Sequence, residues 1–319
     1  MRILIVGAGA TGGYFGARLA LAGRDVTFLV RAARAEQLRR TGLEVLAPGG
    51  NVRVEPRLVT AETVGPAYDA VILAVKAYAL DAAIDDMAPA ISDHALILPF
   101  LNGMRHIDAL AARFGERAVL GGVCMVSTQL DEAGRIVAFS EMQELVYGER
   151  DGGTSERVAE LDAALQGAGF TARASQQIVA EMWSKWIGLA ALGATTCLLR
   201  GNIGEIAAAP GGAAVALQIL DECIAIATAA SENAPPTPFV ERIRGMLTAT
   251  GSSLAASMYR DLQQGRPVEA DQIVGDLLAR ARQFDVAAPL LSAAFANLRV
   301  YDARSAHAAP TRPPIPATA

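Results

Sequence analysis

Arg2-Ile-Leu-Ile-Val6 runs without a break into Gly7-Ala-Gly-Ala-Thr-Gly12, and this stretch decides the fold. The short apolar run reads as a buried strand, and Tyr14-Phe-Gly-Ala-Arg-Leu-Ala-Leu21 beyond it has helical spacing. A GxGxxG pattern by itself is weak. Placed between a strand and a helix it becomes specific, because each glycine then has a physical task. Gly7 permits the tight turn, Gly9 lets the backbone approach a pyrophosphate, and Gly12 lets helix and strand pack closely. Ala8, Ala10 and Thr11 fill the remaining loop positions, where the helix N-terminus faces the phosphates. The stretch predicts a dinucleotide-binding βα unit.

Working outward, the alternation continues. Apolar runs at 2–6, 25–30, 70–75, 95–101 and 118–125 read as strands, and helical periodicity falls at 11–22, 32–41, 79–88, 105–113 and 155–167. That order predicts an α/β, Rossmann-like domain over residues 1–175, with a mostly parallel, doubly wound sheet. Asp131-Glu-Ala-Gly-Arg135 interrupts it and reads as a hairpin turn. From 176 onward strand patterns vanish. Helices are expected at 176–198, 212–231, 237–263, 267–284 and 288–300, giving an all-α second domain over 176–304. Residues 305–319 hold four prolines and read as an unstructured tail.

The end of the second strand speaks to cofactor type. An NAD site places Asp or Glu there, for the ribose 2′-hydroxyl. Here the strand ends Phe28-Leu-Val-Arg-Ala-Ala-Arg34, with no carboxylate. Arg31, and Arg34 as a second candidate, could clamp a 2′-phosphate by bidentate hydrogen bonds. NADP(H) is the expected cofactor.

Only two of the 28 basic residues are lysines, Lys76 and Lys185. Surface cations tolerate exchange to arginine, but a site needing a compact, titratable ammonium does not. Lys76 follows the strand Ala70-Val-Ile-Leu-Ala-Val75, and Lys185 lies in Glu181-Met-Trp-Ser-Lys-Trp-Ile187. On a helix, Ile178, Met182, Gly188 and Leu189 share the Lys185 face, so the ammonium emerges from an apolar stripe beside a small residue. The alternative is a surface ion pair with Glu181, four residues earlier. Asn102 ends a strand in Phe100-Leu-Asn-Gly-Met104, where parallel sheets bind ligands, although Asn-Gly is also a common turn. Further on, Ser257-Met-Tyr-Arg-Asp-Leu262 precedes Gln263-Gln-Gly-Arg-Pro-Val-Glu269. Gly265 should end one helix and Pro267 start another, with Glu269 in its first turn. There a carboxylate could be catalytic or merely favoured by the helix dipole.

Composition bounds the rest. With 52% hydrophobic and 19% charged residues the chain is globular, and a net charge of −5 argues against nucleic acid or an acidic membrane as a partner. Cys124, Cys197 and Cys223 are widely spaced, suit buried roles in a reducing compartment, and suggest no metal site. No signal-peptide pattern opens the sequence, and apolar runs such as 187–199 are too short to span a bilayer, so a cytoplasmic protein is expected.

These residues together resemble the ketopantoate reductase (2-dehydropantoate 2-reductase) family over residues 1 to about 303. The carriers are Gly7-Ala-Gly-Ala-Thr-Gly-Gly13, Arg31, Ala74-Val-Lys76, Leu101-Asn-Gly-Met104, Trp183-Ser-Lys185, and Ser257-Met258 leading to Asp261 and Glu269. The resemblance implies a Rossmann domain, a helical domain and an active site in the cleft. It implies Lys185 as general acid and Glu269 contacting the reacting oxygen. Ser257 would hold substrate, Asn102 would orient substrate and lysine, and Arg31 with Lys76 would serve NADPH. The expected activity is NADPH-dependent reduction of a 2-oxo acid, 2-dehydropantoate first, in pantothenate synthesis, and a homodimer is compatible with it. Two positions depart. Where the family's pattern carries asparagines four and eight residues after the lysine, this chain has Leu189 and Gly193. That leaves open a paralogue acting on another branched or bulkier 2-oxo acid. A non-catalytic NADPH sensor is the competitor outside enzymes, and a histidine-based dehydrogenase would have to rely on His106.

Overall fold

Strand β1 (Arg2–Val6) is central because both of its faces are apolar: Ile3 to Val6 are all buried. The computed structural model describes residues 1–66, 68–140, 142–231 and 234–308. Beside β1 lie β2 (Asp25–Leu29) and β6 (Ala70–Leu73), both parallel to it. With β5 (Arg57–Val59) and β7 (Leu96–Pro99) they form a parallel sheet of order β5-β2-β1-β6-β7. Alternate residues feed two cores. Ile3, Ile5, Phe28, Ile72 and Leu98 face one, while Leu4, Val6, Leu29, Val71 and Ile97 face the other. The first is covered by α1 (Ala10–Leu21), α2 (Ala32–Thr41) and α5 (Glu156–Leu165). The second is covered by α3 (Leu80–Met87), α4 (Arg105–Phe114) and the start of α6 (Ile178–Leu199). Helices on both faces are what continuous apolar strands require.

Several short strands carry no strong sequence pattern of their own. β3 (Leu43–Leu46), β4 (Val52–Val54), β9 (Thr128–Leu130) and β10 (Ile136–Ala138) make a second sheet, β4-β3-β10-β9. It lies over α1, with Ile136 Cδ1 2.5 Å from where a Cβ on Gly13 would stand. The β9–β10 link is the expected hairpin. Gly134 takes φ +80° there, and Asp131 accepts from the Arg135 backbone and guanidinium, both at 2.8 Å. β8 (Gly121–Met125), β11 (Glu144–Gly148) and β12 (Thr171–Ala174) form a third sheet, in which β11 is antiparallel to β8 and parallel to β12. An isolated parallel bridge, Ile97 to Val119, joins β7 to the chain entering β8.

The chain divides into two compact units, Met1–Trp183 and Ser184–Ala319, at a point inside α6. Beyond α6 the elements among the described residues are helices: α7 (Ile203–Ala208), α8 (Gly212–Ser231), α9 (Thr237–Leu247), α10 (Ser257–Gln263), α11 (Asp276–Gln283) and α12 (Pro289–Ala308). α8 is long and apolar enough to cross a membrane by length and composition alone. Its stripe Ala216, Ile219, Leu220, Cys223, Ile226 and Ala227 is buried within the second unit. Glu222, also buried, accepts from the backbone N–H groups of Leu290 (3.1 Å) and Leu291 (2.8 Å) and so caps the start of α12.

The expected helix over 237–263 is broken. Ile203 N–H donates to Leu254 O (2.9 Å) and Gly204 N–H to Ser252 O (2.8 Å), so carbonyls that a continuous helix would use internally serve the start of α7. The expected helix over 267–284 starts later than Pro267. Its first helical residue is Ala270, followed by a π-helical turn at Asp271–Gly275, and Glu269 sits just before the first turn rather than within it. At the C-terminus α12 runs to Ala308, four residues into the expected tail, and residues 309–319 lie outside those described.

Candidate functional site

In the first unit each of the expected cofactor residues follows the carboxyl end of a parallel strand. Chain direction across the sheet reverses at β1, since β2 lies on one side and β6 on the other, and such switch points are where doubly wound sheets bind ligands. Gly7 follows β1, Arg31 follows β2, Lys76 follows β6 and Asn102 follows β7. Gly7 takes φ +98°, and a Cβ there would come within 3.1 Å of the Ala74 carbonyl oxygen and of Val75 Cγ1. At Gly12 a Cβ would stand 2.8 Å from that of Ala74. The protein itself therefore needs both glycines. Gly9 is different: a Cβ there would meet nothing within 4 Å. No steric demand of the fold makes it glycine, and its bareness leaves the backbone open at the start of α1.

There Gly9 offers no side-chain cap and the first turn of α1 holds no acid. The opening amides of a helix have no acceptors within the helix, and their dipoles favour an anion. A pyrophosphate fits this donor set. Arg31 is exposed at the N-cap of α2, again with no acid in the first turn. Lys76 is also exposed, and Asn102 is half-buried.

Arg34 behaves differently from the second phosphate clamp considered above. Its Nε and Nη2 donate to Ala8 O (3.2 and 3.0 Å), Nη2 also to Gly134 O (3.1 Å), and Nη1 to Gln37 Oε1 (2.7 Å). Every guanidinium nitrogen is engaged, and burial pulls its pKa below the usual arginine value. Arg34 ties the glycine-rich turn to the β9–β10 hairpin. Gly134 is favoured there by its φ of +80°, and its missing Cβ lets Arg34 and Gln37 approach closely. Nothing in the sequence joined residues 100 positions apart.

The second unit carries Lys185, Ser257 and Glu269. Lys185 is half-buried on α6, and the stripe predicted around it holds: Ile178, Met182 and Gly188 are buried and Leu189 is partly so. The room expected beside Gly188 is taken by α9, whose Ile243 Cδ1 would lie 3.3 Å from a Cβ at that glycine. Glu181 is held in the first unit, where Arg173 donates to both of its oxygens and Ser175 Oγ to Oε1 at 2.5 Å. Burial alone would raise the Glu181 pKa, but these bonds outweigh it and hold it below the usual value. Glu269 is buried, with 8% of its surface exposed, whereas Ser257 is exposed as the first residue of α10. His106 is fully buried on α4.

One residue of the second unit was missed. Met258 Cε lies 2.9 Å from where a Cβ on Gly193 would stand, so a thioether fills the space an α6 side chain would otherwise occupy. Sequence spacing gives no signal for this contact.

Comparison with known proteins agrees with this architecture. Residues 3–152 match the family model described as ketopantoate reductase PanE/ApbA, and residues 177–302 match that family's C-terminal model. The chain is 38% identical to the uncharacterized oxidoreductase YkpB of Bacillus subtilis, over 95% of this chain and 99% of that one. It is 30% identical to the 2-dehydropantoate 2-reductase of Mesorhizobium japonicum, over 94% and 97% of the two chains. The fold is shared with D-mandelate dehydrogenase in its ternary structure with NADH and anilino(oxo)acetate, at TM-score 0.86 and 22% identity, covering 96% of this chain and all of that one. With a parallel α/β unit, a helical unit and family matches spanning both, the chain belongs to the ketopantoate reductase family of oxidoreductases.

Proposed function

We propose that the protein reduces the ketone of a 2-oxo acid to a 2-hydroxy acid with NADPH. The observation that carries this reading is Lys185, one of two lysines in the chain, which emerges half-buried from an apolar helical stripe in the unit that also buries Glu269. The dinucleotide, when bound, supplies the hydride. The amides of Gly9, Ala10, Thr11 and Gly12 would hold its pyrophosphate, Arg31 would bind the 2′-phosphate, and Lys76 would also serve the cofactor. Lys185 supports the developing alkoxide with its charge and donates the proton that completes the hydroxyl. A compact ammonium can do both, and guanidinium is a far weaker acid. Glu269 keeps that ammonium charged, while Asn102 and Ser257 hold the substrate. We place the protein in the cytoplasm, with 2-dehydropantoate as the first substrate to test.

Met258 favours a second substrate class. It covers Gly193 with an apolar group, and Leu189 adds another apolar side chain one turn closer to Lys185. A wall so built suits a 2-oxo acid whose side chain is branched or bulky and lacks a hydroxyl. The test is NADPH and NADH oxidation across a panel of 2-oxo acids that includes 2-dehydropantoate, 2-oxoisovalerate and phenylglyoxylate. Turnover of any member with NADPH preferred supports the reading, and no turnover with either cofactor overturns it.

A further inference from the structure

Trp186 adjoins Lys185 in sequence and is the largest fully buried side chain among the described residues. Its indole N–H donates to the carbonyl of Ile273 at 2.8 Å, a buried bond spanning 87 positions. Ile273 lies in the π-helical turn Asp271–Gly275, and its own N–H donates to the Glu269 carbonyl at 3.0 Å. Two hydrogen bonds therefore run in series from the neighbour of Lys185 to the backbone of Glu269, all within the second unit. A π-helical turn departs from the regular i→i+4 ladder, and such turns persist where something else holds them. Here the indole sits on one of its carbonyls. The guanidinium of Arg280 lies over the Trp186 ring at 5.4 Å from its centroid, and Asp276 lies 3.6 Å from Arg280 Nε, which closes the far side of the ring with a paired charge.

We infer that Trp186 is a positioning residue: through the Ile273 carbonyl it fixes the π-helical turn, and with it the place of Glu269 relative to Lys185. This rests on the reading that Lys185 and Glu269 work as a pair. Packing alone does not require the N–H, since a phenyl ring would fill most of the same volume. The bond instead sets register between α6 and the Glu269 turn. Loss of that register separates carboxylate from ammonium without unfolding the unit.

The test exploits the lysine count. Labelling with [ε-13C]lysine gives two side-chain resonances, Lys76 and Lys185, assigned with Lys76→Arg. Their titration is read on the protein alone, so it answers even if no 2-oxo acid is turned over. In Trp186→Phe, and in a protein with benzothienylalanine at 186 (an isostere without the N–H), the Lys185 resonance should titrate about one unit lower than in wild type while Lys76 stays put. In the same variants kcat should fall roughly 10- to 100-fold with the basic limb of the pH–rate profile moved down, and KM for NADPH unchanged. The isostere preserves shape, so it answers where the phenylalanine variant fails to fold. An unmoved Lys185 titration in the folded isostere overturns the inference. A moved titration in a protein inactive on every 2-oxo acid keeps the inference and overturns the assigned reaction.

Discussion

The Arg34 guanidinium donates to the Ala8 carbonyl through both Nε (3.2 Å) and Nη2 (3.0 Å), so a side chain of α2 holds the glycine-rich turn. Arg31, three residues earlier, stands exposed at the end of β2. The two arginines should therefore fail differently. Arg31→Ala should weaken NADPH roughly 10- to 100-fold and NADH little, because only NADPH carries the phosphate it would bind. Arg34→Ala should weaken both cofactors alike by loosening the turn. Titration of each variant with each cofactor checks this, and a selective loss of NADPH in Arg34→Ala would return Arg34 to the phosphate.

Met258 limits what can be built at Gly193, the place where the proposed function puts a substrate wall. Asparagine at 189 and 193 would supply amides, but the Met258 methyl already stands 2.9 Å from the site of a Cβ at 193. Leu189→Asn with Gly193→Asn should lower stability by about 1–3 kcal/mol through overpacking. Adding Met258→Ala should relieve part of that loss and shift kcat/KM toward 2-dehydropantoate. Denaturation curves and substrate competition for the double and triple variants decide it.

Lys185→Ala should lower kcat about 10³-fold or more, since charge stabilisation and proton donation are lost together. Affinity for NADPH should barely change. Lys185→Arg should recover part of the loss at most, because it restores charge without an acid of useful strength. Near wild-type kcat in the arginine variant would make Lys185 a replaceable cation.

A fourth test concerns stability and pH. Glu149 is nearly buried, with Arg157 donating through Nε (2.7 Å) and Nη2 (2.5 Å) and Ser155 through Oγ (2.6 Å). Ser155 also caps α5. The Arg157 hydrogen bonds, chiefly, hold the Glu149 pKa below its ordinary 4.5. A depressed pKa stabilises the fold fully above the unfolded value and loses its effect as pH falls through the folded one. Glu149→Gln should thus cost about 1–3 kcal/mol at pH 7 and progressively less below pH 4.5. Unfolding midpoints of variant and wild type that stay equally far apart at pH 7 and pH 3 would count against the ion pair.

What the sequence made legible is what neighbours along the chain decide. The turn at Gly7–Gly12 declares itself because the strand before it and the helix after it each carry their own period. The stripe around Lys185 follows from helical spacing alone. The strands β4 and β5 escaped because each spans three residues, too few for alternation to register, and β9 and β10, equally short, were legible only through the turn between them. The break after Leu247 escaped for another reason: it depends on bonds to Ile203 and Gly204, more than 40 positions away. Arg34 and Met258 belong with that break. Each is explained by a partner that only the folded chain brings near.

Glu222 carries one more consequence. Its carboxylate is spent on the amides of Leu290 and Leu291, 68 and 69 residues downstream. A chain cut before Pro289 would lose both of that carboxylate's donors and, with buried Leu291, Ala294 and Leu298, the apolar cover that α12 provides. α12 is thus the closing piece of its unit rather than an appendage. A nascent chain would gain a settled second unit only after its final helix had been made.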